Sequence, residues 1–200
     1  FTGHGGTLSL LNQAKGEKLI KANATNASYD TGYSNVSIKI NWFANVSWFS
    51  PANGSTRKYP DAFNISCLAD VAIDGGGISG YLVNMSYRNS TNENLTANGT
   101  FLTNATGHAR QEWPVPRGQK GIFTFLCRIG DNTTQFYLAN VTNTTAEILV
   151  QDQVLPTITN TSIIPNASLE AGRDNLNITA NVTDDFAIER VYASIRLPNA

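Results

Sequence analysis

The chain has 200 residues and a net charge of −1, with 41 % apolar, 10 % aromatic and only 14 % charged residues. So few charges, against about 25 % in an ordinary globular protein, leave no basic stripe for nucleic acid or for an anionic lipid surface. No run of about 18 apolar residues exists to cross a membrane as a helix, and the length allows one large domain or two small ones.

In chain order, residues 1–30 stand apart as an N-terminal segment. The start at Phe1 rather than Met reads as a mature terminus left after a secretion signal is removed, although an artificial boundary would look the same. Gly3, Gly5 and Gly6 make a flexible beginning, and Leu8, Leu10 and Leu11 are the candidate assembly strand. The stretch through Lys15, Lys18, Leu19 and Ala22 fits either a strand or a short amphipathic helix, with Gly16 weighing against the helix. Without a hairpin partner, it is expected to be a frayed tail or a strand that pairs elsewhere.

Residues 31–152 read as one β-sandwich. Val36, Ile38, Ile40 and Trp42 alternate with polar residues, and Ala44, Val46 and Trp48 continue the pattern. Phe63, Ile65, Cys67, Ala69, Val71 and Ile73 give the cleanest alternation, ended by Gly75-Gly76-Gly77. Tyr81, Val83, Met85 and Tyr87 form the next strand, and the polar stretch from Asn89 to Thr106 reads as loop or weak edge strands. Trp113-Pro-Val-Pro marks a sheet edge, because proline cannot donate to a ladder. Phe123, Phe125, Cys127 and Ile129 make a strong inner strand, followed by strands over 136–141 and 146–150. Short strands punctuated by Gly, Pro and Asn predict an all-β sandwich or barrel.

Asparagine carries the strongest signal. Of 23 asparagines, 18 lie in Asn-x-Ser/Thr with x not proline: Asn23, Asn26, Asn35, Asn45, Asn53, Asn64, Asn84, Asn89, Asn94, Asn98, Asn104, Asn132, Asn140, Asn143, Asn160, Asn166, Asn177 and Asn181. Ser and Thr together number 35, so chance would give about four such triplets. The excess predicts covalent N-linked glycans and hence an extracellular or cell-surface location. In eight of the triplets the middle residue is large and apolar, as in Asn45-Val-Ser, Asn64-Ile-Ser and Asn84-Met-Ser. In a strand, Asn and Ser/Thr then share one face while the middle residue points to the other. A disordered low-complexity chain has no reason to keep that register.

In a secreted chain, Cys67 and Cys127 read as one disulfide; in the cytosol they would read as two buried thiols. Each lies in the inward phase of its strand.

Taken together, these features resemble the tandem Ig-like sandwiches of prokaryotic surface glycoproteins, of the kind found in archaeal-type filaments, pili or surface layers. Cys67 and Cys127 resemble the inter-sheet bridge between strands B and F, and Trp113–Phe125 followed by Cys127–Asn132 resembles a strand and hairpin of those repeats. The run Ile148–Pro156 resembles their exit strand and inter-repeat proline. Departures from antibody-type domains are Phe125 where a tyrosine corner would place Tyr, and no Trp in 75–90. Phe63-Asn-Ile-Ser-Cys-Leu recurs as Leu176-Asn-Ile-Thr-Ala-Asn, 113 residues later. Residues 153–200 are therefore expected to begin a second, incomplete sandwich. Continuation of the natural chain is favoured for its completion, since one donated strand could not replace four.

Catalysis finds little support. His4 sits in the glycine-rich start and His108 in a polar loop, neither with a nucleophile at a recognisable spacing. No zinc spacing occurs. Asp184-Asp185 and Asp70/Asp74 are candidate calcium ligands without EF-hand spacing, and the turn-forming reading of these aspartates carries more weight. The expectation is a non-enzymatic subunit without cofactor whose partners are copies of itself. The resemblance implies a filament assembled by strand exchange. The alternatives are a surface-layer or adhesin/stalk protein with spacer domains and, more weakly, an accessory domain of a secreted hydrolase. Trp42-Phe43 and Trp48-Phe49, with Ile122 and Leu126, are candidate contact residues, against ordinary burial beneath loops.

Overall fold

The computed structural model describes residues 13–26, 29–90, 92–164 and 176–194. Thirteen strands follow in chain order: β1 (Gly16–Asn26), β2 (Tyr29–Ile40), β3 (Trp42–Ser50), β4 (Thr56–Tyr59), β5 (Phe63–Val71), β6 (Leu82–Asn89), β7 (Asn92–Leu102), β8 (His108–Trp113), β9 (Gly121–Arg128), β10 (Tyr137–Val141), β11 (Asn143–Asp152), β12 (Thr157–Ile164) and β13 (Asn177–Thr183). Among the described residues there is no helix, and so none that could cross a membrane.

Strands β3 to β11 form an Ig-like β-sandwich. One sheet has the order β10-β3-β5-β8 and the other β4-β11-β9-β6-β7. All pairs are antiparallel except β10–β3 and β11–β4. The period-2 alternation read from sequence is what fills the space between the sheets. Ala44 and Val46, then Ile65, Cys67 and Ala69, face Val83 and Met85, Phe123, Phe125 and Cys127, and Ile148 and Val150, each no more than 2 % exposed. Trp113 ends the edge strand β8 and is the largest fully buried side chain. Its ring meets Phe63, Tyr87, Phe123 and Phe125 with centroids 4.9–5.2 Å away. Pro114 follows at the point where the ladder stops, as the edge reading expects.

Cys67 on β5 and Cys127 on β9 form a disulfide between the two sheets, with Cα atoms 6.6 Å apart and both residues fully buried. Of the two candidate contact residues on the outer face of β9, Leu126 is buried at 8 %, as ordinary burial would have it, whereas Ile122 is 45 % exposed.

At each end of the sandwich a two-stranded antiparallel ribbon extends from it, β1–β2 and β12–β13. The first corrects the expectation of an N-terminal segment with no hairpin partner. Residues 16–26 are hydrogen-bonded to 29–40, so the boundary expected at residue 30 falls inside a hairpin. The alternation of Val36, Ile38 and Ile40 belongs to this ribbon, and the sandwich begins at Trp42.

Candidate functional site

The register of each ribbon sorts its side chains into two unlike faces, since residues directly opposite across a pair share a side. In β1–β2, Ile20 pairs with Val36, Lys18 with Ile38, Ala22 with Ser34 and Gly16 with Ile40. One face is therefore mainly aliphatic. The other carries Glu17, Leu19, Lys21, Asn35, Ser37 and Lys39. In β12–β13, Ile158 pairs with Val182 and Ile163 with Ile178, while Thr159 pairs with Asn181, Ser162 with Thr179 and Ile164 with Asn177. The first set again makes an apolar face, backed by a polar one, where Ser162 Oγ and Thr179 Oγ1 share a 2.6 Å hydrogen bond. Both apolar faces are part-exposed among the described residues: Val36 is 56 % exposed, Ile158 60 % and Ile163 52 %, while Ile20, Ile38, Ile40 and Val182 are partly buried.

The ribbons leave opposite poles of the sandwich. β2 enters β3 at Trp42, beside Tyr137. The end of β9 and the start of β11 meet at the same pole, Arg128 facing Asn143, and β11 runs from there to Asp152 at the other. Each ribbon is anchored. At the first pole Lys15 Nζ donates to the Gln135 carbonyl (2.8 Å) and lies 3.6 Å from the centre of the Tyr137 ring, while Trp42 Nε1 donates to the Gln13 carbonyl (3.2 Å). At the second, Phe186 meets the Tyr59 ring edge-on at 5.1 Å beneath Lys120 Nζ, and Arg117 pairs with Asp185 at 3.1 Å.

The sequon asparagines distribute along these elements. Asn45, Asn64 and Asn84 lie on strands β3, β5 and β6, with their middle residues Val46, Ile65 and Met85 no more than 2 % exposed. There the outward asparagine and inward apolar residue stand as the register rule predicts. Asn94 on β7 and Asn140 on β10 sit on edge strands, where Leu95 and Val141 are nearly half exposed. Asn53 and Asn104 sit in turns and are exposed, and both use their side-chain oxygens to accept backbone N–H groups: Asn53 from Glu147, Asn104 from Thr106 and His108. Asn132 is half-buried in the β9–β10 loop and Asn89 at the end of β6; Asn98 lies on β7. Asn143 opens β11, Asn160 sits in the β12 irregularity, and Asn35, Asn177 and Asn181 lie on the polar ribbon faces. Asn23 and Asn26 belong to β1. Asn166, Leu8, Leu10 and Leu11 lie outside the described residues.

The candidate calcium aspartates are occupied in turns. Asp74 Oδ1 accepts the Gly76 N–H (2.9 Å), Asp184 Oδ1 accepts that of Phe186 (2.8 Å), and Asp185 holds Arg117. Burial pushes the Asp70 carboxyl up from its ordinary range, with the nearby Asp74 charge adding to this and a hydrogen bond from Asn45 opposing it. Burial, with the Asp131 charge behind it, pushes the Tyr81 phenol up to about 12, and its hydroxyl donates to the Gly130 carbonyl at 2.7 Å. His108 packs edge-on against Phe49, itself 53 % exposed. Among the described residues no three of His, Cys, Asp and Glu converge as a metal site. Sequence reasoning missed the ribbon faces, although the aliphatic spacing of 20 and 22 against 36, 38 and 40 carried the signal.

No protein family and no curated protein matches the chain. Similar solved structures include the fibronectin(III)-like modules of Clostridium thermocellum CbhA, at 18 % identity and a TM-score of 0.38. That alignment covers 70 % of this chain and 64 % of the other, so the chain spans less than two thirds of that neighbour's length. Another is a superoxide reductase (neelaredoxin) from Ignicoccus hospitalis, at 12 % identity and a TM-score of 0.35, covering 54 % of this chain and 80 % of that one.

Proposed function

We propose that the chain is a non-enzymatic structural subunit of an extracellular, N-glycosylated filament, in which copies join end to end. The apolar face of the β1–β2 ribbon of one copy packs on that of the β12–β13 ribbon of the next, and the two half-layers make one small sandwich. The observation that carries this reading is the pair of part-exposed aliphatic faces at opposite poles, with sequons on their reverse sides. A lone two-stranded ribbon is marginal in water, so each has reason to seek a cover. Eight aliphatic side chains line the two faces: Val36, Ile158 and Ile163 are more than half exposed, Ile178 is 39 % exposed, and Ile20, Ile38, Ile40 and Val182 are partly buried. Burying what remains exposed would contribute roughly 4–9 kcal/mol. Association costs about 4–15 kcal/mol, so apolar burial alone only breaks even. Backbone pairing along the open ribbon edges would supply the remainder, which is strand exchange. Sugars on the outer faces would supply the polarity that 14 % charged residues do not.

Deleting residues 1–30 and, separately, placing Ile20→Lys with Ile178→Lys test the reading. Electron microscopy and sedimentation are expected to show loss of filaments in both variants, with the β-sheet circular dichroism of the sandwich kept by the charged pair. Unchanged assembly of the charged pair refutes the ribbon contact and favours a spacer or stalk.

A further inference from the structure

We infer that Asn98 is a sequon asparagine that carries no sugar, because its side chain is enclosed at a bulge on the rim of the sandwich. The inference rests on the glycoprotein reading above. Opposite β6, the register of β7 runs Thr100 to Asn84, Gly99 to Met85, then Ala97 to Ser86, so Asn98 is the extra residue of a β-bulge. Gly99 adopts φ +137°, and a Cβ there would stand 2.8 Å from the Phe101 ring. This backbone breaks the period of two that elsewhere keeps Asn and Ser/Thr of a sequon on one face. Its two halves part company here. Asn98 is half-buried, and its side-chain nitrogen, the atom that would bond to a sugar, has essentially no accessible surface. The Thr100 hydroxyl donates to the side-chain oxygen of Asn84, the exposed sequon of the neighbouring strand.

Gln111 of β8 lies against Asn98, its Nε2 reaching the Asn98 backbone carbonyl at 3.5 Å. Gln111 shares its strand face with Ala109 and Trp113, both buried, so it stands at the rim of the core. The Asn98 amide nitrogen and the Gln111 amide oxygen are both buried without a partner, a donor and an acceptor on residues already in contact. β7 and β8 belong to different sheets, so this polar contact ties the two edges where no ladder can. A sugar ring on the enclosed Asn98 nitrogen would have to displace what surrounds it at this contact between the edges.

Intact glycopeptide mass spectrometry of the natural secreted chain is the test. Asn84 and Asn64 are expected to be occupied, with Asn98 at less than about a tenth of their level. In intact mass, Asn84→Gln loses one glycan, whereas Asn98→Gln and Thr100→Ala lose none. Thr100→Ala removes the sequon while leaving the Asn98 side chain in place, so its count does not depend on tolerance of a change at 98. Occupancy of Asn98 comparable to Asn84, or loss of a glycan in Thr100→Ala, overturns the inference while leaving the glycoprotein reading intact. Bare asparagines throughout refute both.

Discussion

Replacing Cys67 and Cys127 together by alanine removes the covalent link between the sheets. The bridge joins residues 60 apart in sequence, and a loop of that size stabilises by about 4 kcal/mol in the chain-entropy model. Both residues are fully buried, so losing two sulfur atoms from the core adds roughly 1 kcal/mol. Against a typical total of about 5–15 kcal/mol, the variant is expected to be marginal, with a melting temperature lower by roughly 10–20 °C. Urea denaturation of the chain, followed by tryptophan fluorescence, measures the difference. A second variant, Cys67→Ala with Cys127→Val, refills much of the lost volume without restoring the link. It is expected to regain the smaller part alone. A total loss under about 1 kcal/mol, or full recovery on refilling, refutes the assignment of the stabilisation to loop closure.

Trp113→Ala opens a cavity bounded by four aromatic rings and is expected to cost about 3–5 kcal/mol in the same assay, whereas Phe49→Ala, at a ring 53 % exposed, stays within about 1 kcal/mol. Tyr81 gives an alkaline signature. Its phenol is raised from 10.0 to about 12 in the folded chain, so the folded state holds the proton more tightly than the unfolded state. That contribution is fully present below pH 10 and is lost as the pH climbs toward 12, on the order of 2–3 kcal/mol. Tyr81→Phe is expected to lose about 1 kcal/mol at neutral pH, through the missing bond to Gly130, and to flatten that alkaline fall. An equally steep fall in the variant refutes the role of Tyr81.

The sandwich was legible because its strands keep a strict two-residue period and its chain breaks carry recognisable chemistry. Phe63–Val71 and Gly121–Arg128 alternate cleanly enough to place both cysteines inward, and Pro114 marks the end of an edge strand. The first ribbon was missed, although the aliphatic spacing of its two strands is present in the sequence. The sequence between its two strands contains neither Gly nor Pro, and only Asn41 separates the alternation of β2 from that of β3. Nothing local therefore signals that Val36 and Trp42 belong to different layers. Trp113 was read as an edge marker and proves to be the largest buried side chain, because a strand-end residue can still turn its ring across the sheets. The Asn98 bulge was invisible for a similar reason: a single glycine with positive φ reverses the phase, and the triplet Asn-Gly-Thr looks like any other sequon.

The same alternation has different consequences in the two settings. On β3, β5 and β6 the residue between Asn and Ser/Thr is buried by the opposing sheet. On the ribbons the corresponding residues, Val36 and Ile178, are turned the same way relative to their asparagines but remain 56 % and 39 % exposed. A sequence that merely tolerated asparagine on loose hairpins would have no cause to keep the opposite face aliphatic through Ile20, Ile38 and Ile40, or through Ile158, Ile163 and Val182. Keeping it so is costly for a monomer, since exposed apolar strands invite edge-to-edge association. In the assembly we propose, that association is the working state. The anchoring of each ribbon by Lys15 and Trp42 at one pole and by Phe186 and Asp185 at the other then has a mechanical meaning. In the proposed filament, load entering through one ribbon would pass into the disulfide-bridged sandwich and out through the other.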